Sequence, residues 1–201
     1  LGRSSLVWTS LSDSAGRDVY LKPYLETRSK SAIETGLLLT DYRARLVLDS
    51  VRDFASPEFG VDIYKLEPPA AHTGVPDPHG PQGAAVQALF DEMGAITPKP
   101  WVVLSAGAGP EDFARTLTYA YRAQASGYLC GRAIWQSAFE HFPDYAQMEA
   151  VLAKDARRYV AELNALTDQL ALPWQQHPCW QGGVAMAEQG PAFAQAYTEA
   201  L

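Results

Sequence analysis

Val61-Asp62-Ile63-Tyr64-Lys65-Leu66-Glu67-Pro68 sets one lysine near the end of an apolar, β-branched run that Pro68 and Pro69 then stop. The pattern reads as a short buried strand with an amine near its C-terminal end. Burying a bare ammonium is costly, and lysines in such settings shed their proton. A neutral amine attacks a carbonyl and forms a Schiff base, so residue type and setting suit imine chemistry. Positions i and i+2 of a strand share a face, which puts Ile63, Lys65 and Glu67 on one side. Glu67 is ambiguous there. It relays protons around an imine, or it binds a substrate hydroxyl, because a carboxylate beside the amine favours the ammonium. The competing view is a structural lysine that pairs with Glu67 or reaches along the strand to solvent.

Two further strand ends carry groups suited to anions. Trp101-Val102-Val103-Leu104 runs into Ser105-Ala106-Gly107, a turn whose amides can face an anion, ahead of a helix opened by Pro110-Glu111-Asp112. Gly127-Tyr128-Leu129-Cys130 runs into Gly131-Arg132, a second turn bearing a guanidinium. The plainer alternative is that small residues only permit tight strand-to-helix turns, and that Arg132 pairs with an acid such as Glu140.

The three motifs are Asp62 to Glu67, Leu104-Ser105-Ala106-Gly107, and Gly131-Arg132-Ala133-Ile134-Trp135. At these separations they resemble the last strands of the tagatose-1,6-bisphosphate aldolase family, to which the sulfofructose-phosphate aldolases are related. The resemblance runs from near Arg43 to Trp135, with a looser continuation toward Trp174. It implies an α/β fold: a (β/α)8 TIM barrel of the class I aldolase type, only its C-terminal half to two-thirds present. A complete barrel takes about 250 residues, and this chain has 201. It implies a carbon–carbon lyase of carbohydrate metabolism that cleaves a phosphorylated ketose, such as tagatose 1,6-bisphosphate, into dihydroxyacetone phosphate and an aldehyde. Lys65 then forms the imine, with Glu67 beside it as a second catalytic candidate. Ser105, Ala106, Gly107, Gly131 and Arg132 hold a substrate phosphate. Class I chemistry needs neither metal nor cofactor. The family's fifth strand ends in an acid–base glutamate; the counterpart here is Lys22-Pro23, with a carboxylate only at Glu26. A truncated, non-catalytic relative that binds a sugar phosphate or a protein partner is therefore the alternative. Open sheet edges in such a piece favour self-association into a homo-oligomer.

The elements that must position these groups follow from spacing. Residues 1–40 are poorly defined, with a remnant of the fifth strand near 18–24. Residues 41–172 alternate helix and buried strand as βα units of a parallel sheet. Tyr42, Leu46, Val47, Val51 and Phe54 recur at helical spacing from an Asp41 N-cap. The loop Ala70–Gly83 follows the Lys65 strand; its glycines suggest mobility, and His72, Asp77 and His79 match no zinc spacing. Helices are expected over Ala84–Gly94, from Pro110 with Phe113, Leu117 and Tyr121 inward, from Ala133 toward Phe142, and from Tyr145 to Leu170. Trp135, Tyr145 and Trp174 are expected to pack the terminal helices onto the barrel. Residues 173–201 read as an irregular tail with a short helix near 192–200.

A net charge of −7 argues against nucleic acid as a partner. No apolar run approaches the roughly 20 residues of a membrane span. Cys130 and Cys179 make no disulfide framework, and a cytoplasmic enzyme is the default expectation.

Overall fold

A computed structural model of the chain describes residues 37–184. The strand remnant near 18–24, with Lys22 and Glu26, and the short helix near 192–200 lie outside the described residues. Helix α1 (Leu37–Phe54) leads through a 3-10 turn at Pro57–Phe59 into strand β1 (Tyr64–Leu66). Helix α2 (Gly83–Ile96), strand β2 (Trp101–Leu104), helix α3 (Pro110–Arg122) and strand β3 (Gly127–Leu129) follow. Helix α4 (Arg132–Phe139) precedes a long C-terminal helical run. That run divides into α5 (Tyr145–Val151), a π-helical stretch at Leu152–Ala156 and α6 (Arg157–Leu170).

The strands pair in parallel in the order β1-β2-β3. Tyr64 faces Trp101, Lys65 faces Val102, and Val102 in turn faces Gly127. Partners in a parallel register share a face, so the sheet has two unlike sides. Tyr64, Leu66, Trp101 and Val103 are buried on one side, beneath α1, α2, α3 and α6. The other side carries Ile63, Lys65, Glu67, Val102 and Leu104, none of them fully buried. The described residues form three strands and no closed barrel.

The covered side is closed by aromatic contacts and tyrosine hydroxyls. Phe90 of α2 stacks on Tyr119 of α3 at 5.7 Å, and Phe113 meets Tyr128 edge-on at 5.9 Å. Tyr64 donates to the Phe54 carbonyl, which ties β1 to the end of α1. Tyr121 and Thr167 share a hydrogen bond of 2.7 Å between α3 and α6. Burying each large side chain here contributes about 1.5–3 kcal/mol relative to exposure.

Several boundaries differ from the sequence expectation. Helix α1 begins before Asp41, so that residue lies inside the helix and is not its cap. The strands are shorter than their apolar runs, because Val61 to Ile63 and Ser105 lie beyond the paired segment. Helix α4 ends at Phe139. Trp135 and Tyr145 do not pack inward: they are 40% and 71% exposed, against Phe139 and Phe142 respectively. Trp174 packs on Trp180 within the tail, whose indole nitrogen donates to the Trp174 carbonyl.

Gly94 lies where α2 meets the end of α3, and a Cβ there would collide with the Ala123 carbonyl oxygen. A backbone atom cannot swing aside, so G94A is expected to cost about 2–3 kcal/mol. The check is a lower urea midpoint at unchanged m. G60A, in open space at a φ of 57°, should cost only about 1–2 kcal/mol, through backbone strain.

Candidate active site

Lys65 is the middle residue of β1, half-buried on the open side of the sheet. Glu67 follows two residues later on the same side. Its carboxylate accepts a hydrogen bond from the Arg43 guanidinium of α1 at 3.3 Å, both side chains being partly shielded. Burial pushes the Glu67 carboxyl above the usual carboxylate range, and Arg43 draws it partway back. Folded Glu67 therefore holds its proton more tightly than the unfolded chain does. Its contribution to folding weakens as pH rises from about 4.3, the unfolded value, through its raised folded value.

The second strand end makes a tight turn. Ala108 donates to the Ser105 carbonyl at 2.8 Å, while Ala106 and Gly107 both take positive φ, 50° and 84°. Such a conformation costs a non-glycine residue about 1–2 kcal/mol, so Ala106 is held there under strain. The Ser105 amide is committed to the Leu129 carbonyl at 3.1 Å, and its side chain is buried and hydrogen-bonds Cys130. The amides of Ala106 and Gly107 make no backbone hydrogen bond in the described residues, and they are the donors the turn can offer an anion. Arg132 supplies the charge: its guanidinium lies 3.5 Å from where a Cβ on Gly107 would stand. Arg132 makes no ion pair with Glu140 among the described residues. Gly131, at the start of the same turn, lies against the Trp135 indole. Burial raises the Cys130 thiol above its usual range, against the lowering effect of the Ser105 hydrogen bond, which suits an inert thiol.

How the loop after β1 is held is not legible in residue order. Helix α3 presents Asp112, Arg115, Tyr119 and Arg122 along one ridge, three or four residues apart. The Asp112 carboxylate accepts from the amides of Gly74 and Val75 at 3.1 and 2.8 Å. Arg115, Tyr119 and Arg122 donate to the carbonyls of Val75, Pro76 and Pro78. The expected mobile loop is thus strapped to a helix, because its carbonyls and amides meet side chains spaced to match them. His79 is drawn to Arg122. No group of three or more His, Cys, Asp or Glu among the described residues is arranged to hold a metal.

Residues 21–137 match the model of the DeoC/LacD family aldolases. The chain belongs to this family. Similar curated proteins include the tagatose 1,6-diphosphate aldolase of Listeria monocytogenes serotype 4a (strain HCC23), 32% identical over 133 residues. That match covers 62% of this chain and 39% of the relative. Tagatose 1,6-diphosphate aldolase 1 of Streptococcus pyogenes serotype M1 is 33% identical over 132 residues, covering 61% of this chain and 40% of the relative. The chain spans about two-fifths of the length of these curated relatives. All three candidate strand ends fall inside the family match. No helix among the described residues is long and apolar enough to cross a membrane.

Two outcomes follow from this geometry. D112A removes the acceptor of two amides and should cost about 1–3 kcal/mol; faster amide hydrogen exchange at Gly74 and Val75 would report the released loop. R43M removes the charge that draws Glu67 down, so the Glu67 carboxyl should titrate at higher pH than in the unaltered protein. Carbon-13 NMR of the side-chain carboxyl reads that shift, and an unmoved midpoint would contradict the role given to Arg43.

Proposed function

We propose that this chain provides the imine-forming and phosphate-binding end of a class I aldolase acting on a phosphorylated ketose. The observation that carries the reading is the position of Lys65 on the open side of the sheet, at the strand ends where aldolase barrels do their chemistry. The free amides of Ala106 and Gly107, with Arg132 above Gly107, support a phosphate at the neighbouring strand ends.

In this mechanism the Lys65 amine attacks the ketone carbon and water leaves, giving an iminium. The hydroxyl on the second carbon from the iminium loses its proton to a base, and its O–H electrons form the aldehyde carbonyl. The bond joining that carbon to the first breaks, its electron pair passing into the iminium. An aldehyde departs and an enamine remains. Protonation of the enamine carbon and hydrolysis of the imine release dihydroxyacetone phosphate and restore Lys65. The tagatose 1,6-diphosphate named for the relatives is the substrate suggested for this chain. Ser105 keeps a supporting part in the turn through its two backbone bonds, and Gly131 shapes the turn that carries Arg132.

Borohydride reduction in the presence of dihydroxyacetone phosphate should leave a reduced adduct on the peptide that contains Lys65, seen by mass spectrometry. K65M should give no adduct and background cleavage. R132M should retain the adduct but need more dihydroxyacetone phosphate to form it. An absent adduct in a chain with native circular dichroism would favour a non-catalytic protein that only binds a sugar phosphate.

A further inference from the structure

Trp135 is a large aromatic that the fold leaves exposed, packed edge-on at 5.2 Å against Phe139 of the same helix. It stands four residues after Gly131, and helical side chains lean back over the preceding turn. The indole therefore reaches Gly131 at the start of α4, where a Cβ on that glycine would stand 3.5 Å from Nε1. An indole N–H can donate but not accept. The Trp180 indole spends its proton on the Trp174 carbonyl, whereas the Trp135 indole makes no hydrogen bond among the described residues.

Gly107 and Gly131 repeat one arrangement. At each, the place a Cβ would take has a donor beside it and, chain neighbours apart, no other residue within 4 Å. The donor is the Arg132 guanidinium at Gly107 and the Trp135 indole nitrogen at Gly131. A side chain at either position would cover that donor, and glycine leaves it open to a ligand oxygen. The two places adjoin. Leu104 and Leu129 are partners in the sheet, and Gly107 and Gly131 follow them by three and two residues. Bond geometry puts the indole nitrogen within about 7 Å of the Arg132 amide, which has no backbone partner among the described residues. One phosphate with a hydrogen bond on either side fills a gap of that size.

We infer that Trp135 is a further substrate-binding residue, its indole N–H donating to an oxygen of the phosphate held by Arg132 and the amides of Ala106 and Gly107. The inference rests on the phosphate reading of these turns. A phosphate monoester presents three strongly accepting oxygens, more acceptor sites than one guanidinium and two amides fill. The indole adds a donor without adding charge, and Phe139 steadies its ring. An unphosphorylated ketone has no group to place there.

The test uses the full chain and W135F, which keeps an aromatic ring beside Phe139 and removes the N–H. Inorganic phosphate is titrated while nitrogen-15 NMR follows indole and backbone N–H signals; the indole signal absent from W135F belongs to Trp135. That signal should move and saturate together with the amides of Ala106 and Gly107. In borohydride trapping, W135F should need about 10–100-fold more dihydroxyacetone phosphate than the unaltered protein, but no more dihydroxyacetone. An indole that stays still while both amides move would overturn the proposal, as would W135F that traps at the unaltered concentration of dihydroxyacetone phosphate. Equal weakening toward both ketones would also overturn it, because that marks a packing role. Amides that stay still as well would remove the phosphate reading, and this inference with it, a result distinct from the others. The titration requires no imine and decides the matter even where trapping fails.

Discussion

Parallel pairing of β1, β2 and β3 is the constraint from which the rest of the site follows. Side by side and in one direction, the strands bring their C-terminal ends together at one edge of the sheet. Lys65, the Ser105–Gly107 turn and the Gly131–Arg132 turn are separated by dozens of residues in the chain, yet the register makes them neighbours. The same pairing sorts side chains between faces. The residues that alternate with Lys65 are among the most buried in the molecule, so a one-residue slip would carry Tyr64 and Leu66 out of the core. The amine is thus directed to the open side by the hydrophobic cost of any other register.

Charge within the cluster is balanced locally. Arg43 and Arg132 stand against Glu67 and Asp112, and each carboxylate has a stated partner: a guanidinium for Glu67, two amides for Asp112. Neither Asp112 nor Arg132 makes an ion pair in the described residues, and Arg132 lies over amides that make no backbone hydrogen bond there. A doubly charged phosphate would complete that end electrostatically, whereas at the Glu67 end the charges already cancel. Under the proposed function, this asymmetry would orient a substrate with its anionic end toward Gly107 and its carbonyl toward Lys65.

Much of this was legible from residue order. The apolar run ending at Lys65 and the small-residue turns declared three strand ends, and each is where it was expected. Phe113, Leu117 and Tyr121 marked the inward face of α3, and all three are buried. What could not be read was contact between distant segments. Nothing in residue order sets Arg43 apart from Arg45 and Arg52 on the same helix, and only the folded register brings it to Glu67. The ridge of α3 could not be read either, because its partners are backbone carbonyls and amides, which leave no trace in the side-chain sequence. Trp135 and Tyr145 differ for the opposite reason: size and apolarity suggest burial, but both lie on faces of α4 and α5 left exposed among the described residues, while Ala138 takes the buried face of α4.

The strain at Ala106 fits the same picture. Gly107 needs its positive φ and takes it freely, but Ala106 does so at a cost that packing around Ser105 must sustain. Ser105 is held from three sides: its amide by Leu129, its carbonyl by Ala108 and its side chain by Cys130. Those bonds anchor the turn where it leaves the sheet, and it reverses there over two residues of positive φ. The result is a pair of amides withdrawn from sheet bonding and left beneath a guanidinium. A relaxed turn would spend those amides on its own backbone; here both are left without a backbone partner among the described residues, which is what the proposed phosphate site requires.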